Sequence, residues 1–326
     1  MKEFRGRIAV VTGGGTGMGR ELARQLAAEG CHVAMCDVSA EHMEETKALC
    51  KRQAPPGTRV TTHLCDVSDE RQMLAFRDAV QEEHATDHVH LLFNNAGIGG
   101  GGSFLQTSRE EWDRTFAICW GGVYYGTRAF LPLLVASREA HIVNTSSVNG
   151  FWAVLGPNIP HTAYSAAKFA VKGFTEALIT DLRLNAPHVN VSVVMPGHVG
   201  TSIVMNSAAV LGRPSPKEMT SEDLQPVRDQ MAYQGIARDA LSDDQLRAAL
   251  QKIGEDFRDK APLTAAAAAT IILDGVRSGT WRILVGEDAK ALDRMVRAAP
   301  EEAYEPDFMT RLRAKGLFGL GTQPEE

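Results

Sequence analysis

The sequence predicts a doubly wound α/β fold, in which helices cover both faces of a parallel sheet. From residue 7 to about 195, short β-branched runs alternate with longer amphipathic stretches. The short runs are almost continuously apolar, as strands are when both faces of a sheet are buried. A glycine-rich turn follows the first run and leads directly into the first helix-like stretch. Together these observations predict a Rossmann-type fold.

The predicted strands and helices alternate along the first two thirds of the chain. Strands are expected at residues 8–12, 32–37, 59–65, 89–94, 141–145 and 189–195, with a last one at 281–285. Helices are expected near residues 17–30, 40–53, 69–85, 109–137 and 163–185.

The pattern changes after Pro196. Residues 202–262 carry many charges and several Pro and Gly residues, and predict an insertion of short helices without a strand. One of these helices begins at a capping box formed by Ser242 and Gln245. The tail from about residue 300 is polar. Although 326 residues would suit two domains, we predict a single domain over 1–326, with a lid insertion at 202–262 and a C-terminal extension at 287–326.

Charge and hydropathy exclude several classes of function. The chain has 34 basic and 40 acidic side chains, a net charge of −6, and no cluster of Lys and Arg that would bind a phosphate backbone. It also lacks an apolar run near the roughly 20 residues that span a bilayer. We therefore expect a cytoplasmic protein that binds neither nucleic acid nor a membrane.

The cysteines predict neither disulfides nor a metal site. They are odd in number, scattered, and without ligand spacing. We expect reduced core thiols at all five positions, namely Cys31, Cys36, Cys50, Cys65 and Cys119.

The turn after the first strand predicts a dinucleotide site. Residues 12–19 read TGGGTGMG, and such glycines let the backbone approach a pyrophosphate at the positive end of the next helix. Asp37 ends the second strand, where its carboxylate would accept hydrogen bonds from ribose hydroxyls and repel a 2′-phosphate. Neither Thr16 nor Val38 offers a cation, so the prediction is NAD. A purely structural turn, and an Asp37 that only caps the next helix, remain alternatives.

A Tyr and a Lys suggest acid/base chemistry. Tyr164 and Lys168 lie four positions apart on a predicted helix and so share a face. To act as a base near neutral pH, a phenol must have its pKa lowered by about 2 to 3 from about 10. A cation about 4 Å away supplies about 4 kcal/mol at an effective dielectric of 20. Lys168 and an oxidised nicotinamide would together provide it. A serine at the end of the fifth strand could then hydrogen-bond the substrate oxygen.

With these motifs the chain resembles a short-chain dehydrogenase/reductase of the single-domain type. The match covers about residues 5–201 and 263–286, and includes TGxxxGxG, Asp66-Val67, Asn94-Asn95-Ala96-Gly97, Ser147, Tyr164 with Lys168, and Pro196-Gly197 with Thr201. The resemblance implies that Tyr164 is the acid/base, that Ser147 polarises the substrate oxygen, and that Lys168 also binds the nicotinamide ribose. The coenzyme site that it implies comprises Gly13, Thr16, Gly17, Met18, Gly19, Asp37, Asp66, Val67, Asn95, Ala96, Gly97, Tyr164, Lys168, Pro196, Gly197, Val199 and Thr201.

The sequence departs from the family pattern at two places. Cys119 stands where the family commonly has an Asn that anchors a water of the proton relay, and a thiol is a weak hydrogen-bond partner. The relay would then be rerouted or run through Lys168 and water, and Cys119 is left out of the catalytic set. Ser147 and Tyr164 are 17 positions apart, a long spacing that leaves Ser146 as an alternative to Ser147.

The segments that commonly set substrate selectivity in the family are largely apolar here. They indicate a bulky apolar alcohol or ketone, although core packing explains many of these residues as well. The candidate substrate residues are Trp152, His161, His198, Ile203 and Met205.

The leading interpretation is an NAD-dependent oxidoreductase that exchanges hydride with a secondary alcohol or its ketone. One alternative is an NADP-linked ketone reductase. Another, which Cys119 favours, is a catalytically weak dinucleotide-binding sensor or scaffold. The resemblance also implies a homodimer or homotetramer joined through residues 109–137 and 163–185.

Overall fold

The structure is a computed structural model that describes residues 1–156, 159–233 and 235–314. Its strands alternate with helices along the chain. They are β1 (Ile8–Thr12), β2 (His32–Asp37), β3 (Val60–Leu64), β4 (Leu91–Asn94), β5 (Ala140–Thr145), β6 (Val154–Gly156), β7 (Ile159–Pro160), β8 (Val189–Pro196), β9 (Val199–Gly200), β10 (Leu263–Thr264) and β11 (Arg282–Val285).

Seven of these strands form one parallel sheet in the order β3-β2-β1-β4-β5-β8-β11. The predicted doubly wound fold is confirmed, with each of its seven strands within two residues of the expected bounds. The order reverses between β1 and β4, and ligands of such sheets bind outside the carboxyl ends of the strands near that point. Two short pairs, β6 with β7 and β9 with β10, lie outside the main sheet. They were not predicted, because runs of two or three residues carry no periodicity.

The helices are named in chain order. They are α1 (Gly17–Ala28), α2 (Ala40–Gln53), α3 (Glu70–His84), α4 (Arg109–Phe116), α5 (Gly122–Val135), α6 (Thr162–Asn185), α7 (Ile203–Val210), α8 (Gln225–Tyr233), α9 (Asp243–Asp259), α10 (Ala265–Ser278), α11 (Glu287–Ala298) and α12 (Pro306–Arg313).

Both faces of the sheet are buried, because successive side chains of a strand point to opposite faces. In β1, Ile8 and Val10 pack with α3 and α5, whereas Ala9 and Val11 pack with α1 and α10. The five cysteines are free and buried, which confirms the prediction of core thiols. In the part of the chain that the structure describes, no helix is long and apolar enough to cross a membrane.

Local signals begin several helices as predicted. The capping box at α9 is confirmed, since Ser242 accepts from the Gln245 amide and the Gln245 side chain accepts from Ser242 N–H. The predicted long helix at 109–137 is instead α4 and α5 joined by a π-helical turn, Ala117–Gly121. One extra residue in a turn does not disturb an amphipathic pattern enough to be detected, and π turns often mark functional sites.

The C-terminal extension packs tightly against the main fold, which its polar sequence did not predict. Phe308 and Leu312 of α12 are buried with Ala289 and Leu292 of α11 and with Trp152. The last part of the predicted extension, residues 315–326, lies outside the described residues. An ion pair with little exposure fastens α11 to the sheet, because Arg282 of β11 donates to both carboxylate oxygens of Asp293. Such a pair is costly to break, since it would leave a buried charge alone.

We predict that His141 makes stability fall on acidification. Its ring is 1% exposed and donates through Nε2 to Ser192 Oγ at 2.7 Å, because that hydroxyl in turn donates to Thr280 O. Burial lowers the His141 pKa from 6.5 to about 4. Between these values the unfolded chain binds a proton that the folded chain excludes, so the free energy of unfolding falls by up to about 1.4 kcal/mol per pH unit.

Urea unfolding between pH 7 and pH 4 measures this slope. His141→Gln is expected to make the slope shallower, and His188→Gln, at a half-exposed histidine, to leave it unchanged. An identical slope in all three proteins would contradict the prediction.

Candidate active site

The glycine-rich turn between β1 and α1 has a backbone that only glycine suits. Gly13 has φ +67° and Gly17 φ +53°, both in the left-handed region. A Cβ on Gly19 would lie 1.9 Å from the Gly13 carbonyl oxygen. Thr16, the residue before α1, makes no side-chain capping bond, so the first N–H groups of α1 are not capped by it. The turn therefore presents a positive helix end suited to an anion such as a pyrophosphate.

Asp37 lies beside this turn at the end of β2. Its carboxylate accepts from Gly15 N at 3.0 Å and from Ser39 N at 3.1 Å. The cap of α2 is Ser39, whose hydroxyl accepts from His42 N. The alternative in which Asp37 caps this helix is therefore wrong, and its carboxylate faces the glycine turn.

Asp66 and Val67 follow β3 on the same side of the sheet. Asp66 pairs with Arg114 at 2.6 Å and accepts from Ser68. Burial opposes ionisation, but these bonds hold the pKa of Asp66 below its ordinary value. Val67 is buried against Gly122 of α5. Sequence reasoning missed Arg114, since no motif surrounds it.

The turn after β4 is fastened to the glycine turn. The Asn95 side chain donates to Thr12 O at 3.1 Å, and Thr12 Oγ1 accepts from the amides of Asn95 and Ala96. Gly97, in the same turn, lies next to the Lys168 ammonium, because a Cβ on Gly97 would be 3.4 Å from Lys168 Nζ.

Tyr164 and Lys168 lie in the first two turns of α6, on one face as predicted. Lys168 is 2% exposed, and its Nζ donates to Thr145 O at 2.9 Å and lies 5.4 Å from the centroid of the Tyr164 ring. Burial lowers the pKa of Lys168, against the opposing effect of Cys119. Burial also raises the pKa of Tyr164 well above its ordinary value, Cys119 adds to this, and a hydrogen bond with Ser147 opposes it.

The protein alone therefore keeps the phenol protonated at neutral pH. Desolvation dominates for both groups in the protein itself, so the lowering of the Tyr164 pKa by Lys168 and an oxidised nicotinamide together stays a prediction.

The two adjacent serines have different surroundings. Ser146 is buried and its hydroxyl donates to Lys168 O at 2.7 Å, which fastens the end of β5 to α6. Ser147 hydrogen-bonds with Tyr164 and accepts from Asn149 N. Of the two, Ser147 is therefore the one that faces the phenol.

Cys119 lies in the π-helical turn, close to Gly97 and Ile98. Its thiol donates to Ile98 O at 3.2 Å, and a Cβ on Gly97 would lie 3.8 Å from its sulfur. The thiol of Cys119 is thus already bonded to a backbone carbonyl. An Asn at position 119 would instead have a side-chain amide.

The turn after β8 completes the floor of the site. Gly197 N donates to Val285 O, and His198 N donates to the buried carboxylate of Asp288 at 2.7 Å. Val199 pairs with Leu263, and the Thr201 methyl group lies 3.1 Å from where a Gly17 Cβ would be. The segment from Pro196 to Thr201 therefore runs from the sheet edge to the glycine turn.

Helix α7 continues from there across the coenzyme loops. Asn206 donates to Thr16 Oγ1 at 3.0 Å, and Ser207 Oγ accepts from Gly99 N at 2.8 Å. Met205 packs against Gly254 of α9. No sequence motif pointed to Asn206. The remaining predicted residues here are Met18, half-buried against the α1 core, and Ile203, half-buried at the start of α7.

The predicted substrate residues in loops separate into two groups. Trp152 is 0% exposed, donates to Ala303 O at 2.7 Å and packs on Phe308, so its indole serves the C-terminal extension. His198 bonds through Nε2 to Phe257 O at 2.8 Å. His161, in contrast, stacks on the Tyr164 ring with 4.5 Å between centroids.

Comparisons with known proteins agree with this arrangement. A family model described as short chain dehydrogenase matches residues 7–211. SadH of Mycobacterium tuberculosis, a protein named as an oxidoreductase, is 34% identical over 298 residues, which cover 91% of this chain and 92% of SadH.

Two solved structures are also similar. A short-chain dehydrogenase/reductase from Burkholderia phymatum, in complex with NAD, has a TM-score of 0.72 and 30% identity, with all of both chains covered. A metagenomic short-chain oxidoreductase in complex with NADP has a TM-score of 0.53 and 31% identity over 60% of this chain and 83% of its own. Fold, motifs and these matches agree, and the chain belongs to the short-chain dehydrogenase/reductase family of oxidoreductases.

Proposed function

We propose that the protein is an NAD-dependent oxidoreductase that exchanges hydride with a secondary alcohol or its ketone, of bulky and mostly apolar character. The observation that carries the proposal is the meeting of Ser147, Tyr164 and Lys168 at the carboxyl edge of the sheet, next to the glycine turn. These groups match what proton transfer to a carbonyl oxygen requires.

The described residues fit NAD. The glycine turn offers amides to a pyrophosphate, and the Asp37 carboxylate beside Gly15 would accept from ribose hydroxyls and repel a 2′-phosphate. Arg20 reaches the same turn through Gly15 O, but its guanidinium is also paired with Glu45 at 2.7 Å. Asp66 and Val67 would hold the adenine, and residues 95–97 would stabilise the turn that faces the coenzyme. An NADP-linked reductase remains the nearest rival, since similar structures bind either coenzyme.

Ser147, Tyr164 and Lys168 would each have a separate role in moving the substrate proton. Ser147 would hold the substrate oxygen, and Tyr164 would remove the hydroxyl proton in oxidation or return it in reduction. An ammonium has three N–H donors, and Lys168 uses one on Thr145 O, which leaves two for ribose hydroxyls or water. When bound, NAD supplies the hydride acceptor and a positive charge that favours the phenolate.

The segments around the site support two further parts of the proposal. The contacts of α7 with Thr16 and Gly99 suit a lid, part of the insertion 202–262, that covers coenzyme and substrate within one domain. Trp120 of the π-helical turn, Tyr124 of α5 and Phe174 of α6 form a half-exposed aromatic cluster, which suits a homodimer or homotetramer joined through these helices. A cytoplasmic location stays a prediction.

Replacing Tyr164 distinguishes the proposed oxidoreductase from the alternative of a catalytically weak sensor or scaffold. Tyr164→Phe keeps the ring but removes the acid/base group, so turnover is expected to fall by about 10²- to 10⁴-fold while NADH binding, measured by fluorescence, persists. A wild type that is inert across a broad panel of alcohols and ketones with both coenzymes would instead support the sensor or scaffold.

The two serines provide a matched pair. Ser147→Ala is expected to lower kcat, because its hydroxyl faces Tyr164, and also to lower the free energy of unfolding by about 0.5 to 1.5 kcal/mol, because Asn149 N loses its acceptor. Ser146→Ala is expected to lower the free energy of unfolding by about 0.5 to 1.5 kcal/mol, because it removes the buried bond to Lys168 O, and to leave kcat nearly unchanged. If Ser146→Ala lost turnover while Ser147→Ala kept it, their assigned roles would be reversed.

Asp37 is expected to determine coenzyme choice. Asp37→Ala removes the ribose acceptor and the repulsion of a 2′-phosphate, so the ratio of kcat/KM for NAD over NADP should fall about tenfold or more. Glu41→Ala, at an exposed carboxylate in the first turn of α2, is the control and should leave the ratio unchanged. A wild type with a lower KM for NADP than for NAD would overturn the NAD assignment.

A further inference from the structure

The imidazole ring of His161 stacks on the phenol ring of Tyr164. The two rings are 4.5 Å apart at their centroids with 19° between their planes, and His161 immediately precedes α6, whose first turn carries Tyr164. Its carbonyl accepts from Ser165 N, and the next two residues bond to Gly101 and Gly102. These bonds fix the start of α6 and so hold the imidazole against the phenol.

One ring nitrogen of His161 has no hydrogen-bond partner. Nδ1 is buried, and among the described residues none bonds to it. The ring makes no capping bond to α6 either. Buried polar atoms are nearly always paired, by protein, water or ligand. An unpaired nitrogen beside the proposed acid/base therefore points to a ligand that supplies the missing bond.

The chemistry of the ring limits what that ligand can be. Burial lowers the His161 pKa to about 4, so the ring is neutral in the working range and carries one N–H and one lone pair. It would pair with a hydroxyl or a carbonyl and would bring no charge to attract an anion. Phe would stack equally well, so stacking alone does not account for the nitrogen.

We infer that His161 is a specificity-determining residue that binds a second oxygen of the substrate, a hydroxyl or keto group one or two carbons from the reacting carbon. Because His161 lies one ring thickness from the phenol that would exchange the proton, the two substrate oxygens must be close to each other. The inference rests on the proposed function and narrows its substrate class to diols, hydroxyketones and diketones on an otherwise apolar frame.

Matched cyclic alcohols test this with the full-length protein. The probes are cyclohexanol and the 1,2-, 1,3- and 1,4-cyclohexanediols, oxidised with NAD and followed by nicotinamide absorbance. Wild type is expected to favour the 1,2- or 1,3-diol over cyclohexanol by about tenfold or more in kcat/KM, and over the 1,4-diol as well. His161→Phe keeps the stack and removes the nitrogens, and should reduce that preference to within about twofold.

Three controls separate this role from a structural one. His188→Phe removes an imidazole outside the site, whose Nε2 already bonds to Val135 O, and should leave the diol preference unchanged. His161→Asn retains a polar atom and should keep part of the preference, which serves if the Phe variant does not fold. Tm and NADH binding report on folding.

The possible results distinguish failure of the His161 inference from failure of the proposed function. Turnover of all probes with no diol preference in wild type, or a preference that survives in His161→Phe, overturns this inference and leaves the proposed function standing. A wild type that oxidises none of the probes overturns this inference, and one that is also inert across the broad panel of alcohols and ketones with both coenzymes overturns the proposed function as well.

Discussion

The site depends on a single buried ammonium. Lys168 is joined to the end of β5 twice, by its Nζ to Thr145 O and by its carbonyl to the Ser146 hydroxyl. A buried cation is costly unless its N–H groups are satisfied. The carboxyl end of a central strand provides one acceptor, Thr145 O, and in the proposed function the remaining two N–H donors would serve a coenzyme ribose or water. These two bonds set the position of α6 on the sheet, and with it the positions of Tyr164 and His161.

Burial of this pair has an electrostatic consequence. It favours the neutral forms of both groups, raising the pKa of Tyr164 and lowering that of Lys168. The phenol is thus protonated in the protein itself, and in the proposed mechanism it would act as a base once a positive charge lowers its pKa. Cys119, in the π-helical turn, has no side-chain amide to anchor a water, and its thiol already donates to Ile98 O. This arrangement would link ionisation of Tyr164 to the oxidised coenzyme.

The sequence predicted the sheet and the two ends of the coenzyme site, because strand alternation, glycine spacing and the Tyr-Lys spacing are local patterns. It did not predict contacts between distant segments. Arg114 on Asp66, Asn206 on Thr16, and the burial of Trp152 under α12 depend on how loops return to the sheet, and no local pattern encodes that. Trp152 shows most clearly why contacts between distant segments are hard to predict. An aromatic residue shortly after β5 and Ser147 suits a substrate pocket and a core equally well.

The most direct test of the account is the release of protons when coenzyme binds, measured with an indicator dye at about pH 8. If Tyr164 is a protonated, buried phenol that ionises in response to the nicotinamide charge, NAD⁺ will release a fraction of a proton per site. NADH will release none, and Tyr164→Phe will release none with either coenzyme. Equal release with NAD⁺ and NADH, or release that persists in Tyr164→Phe, would contradict the account.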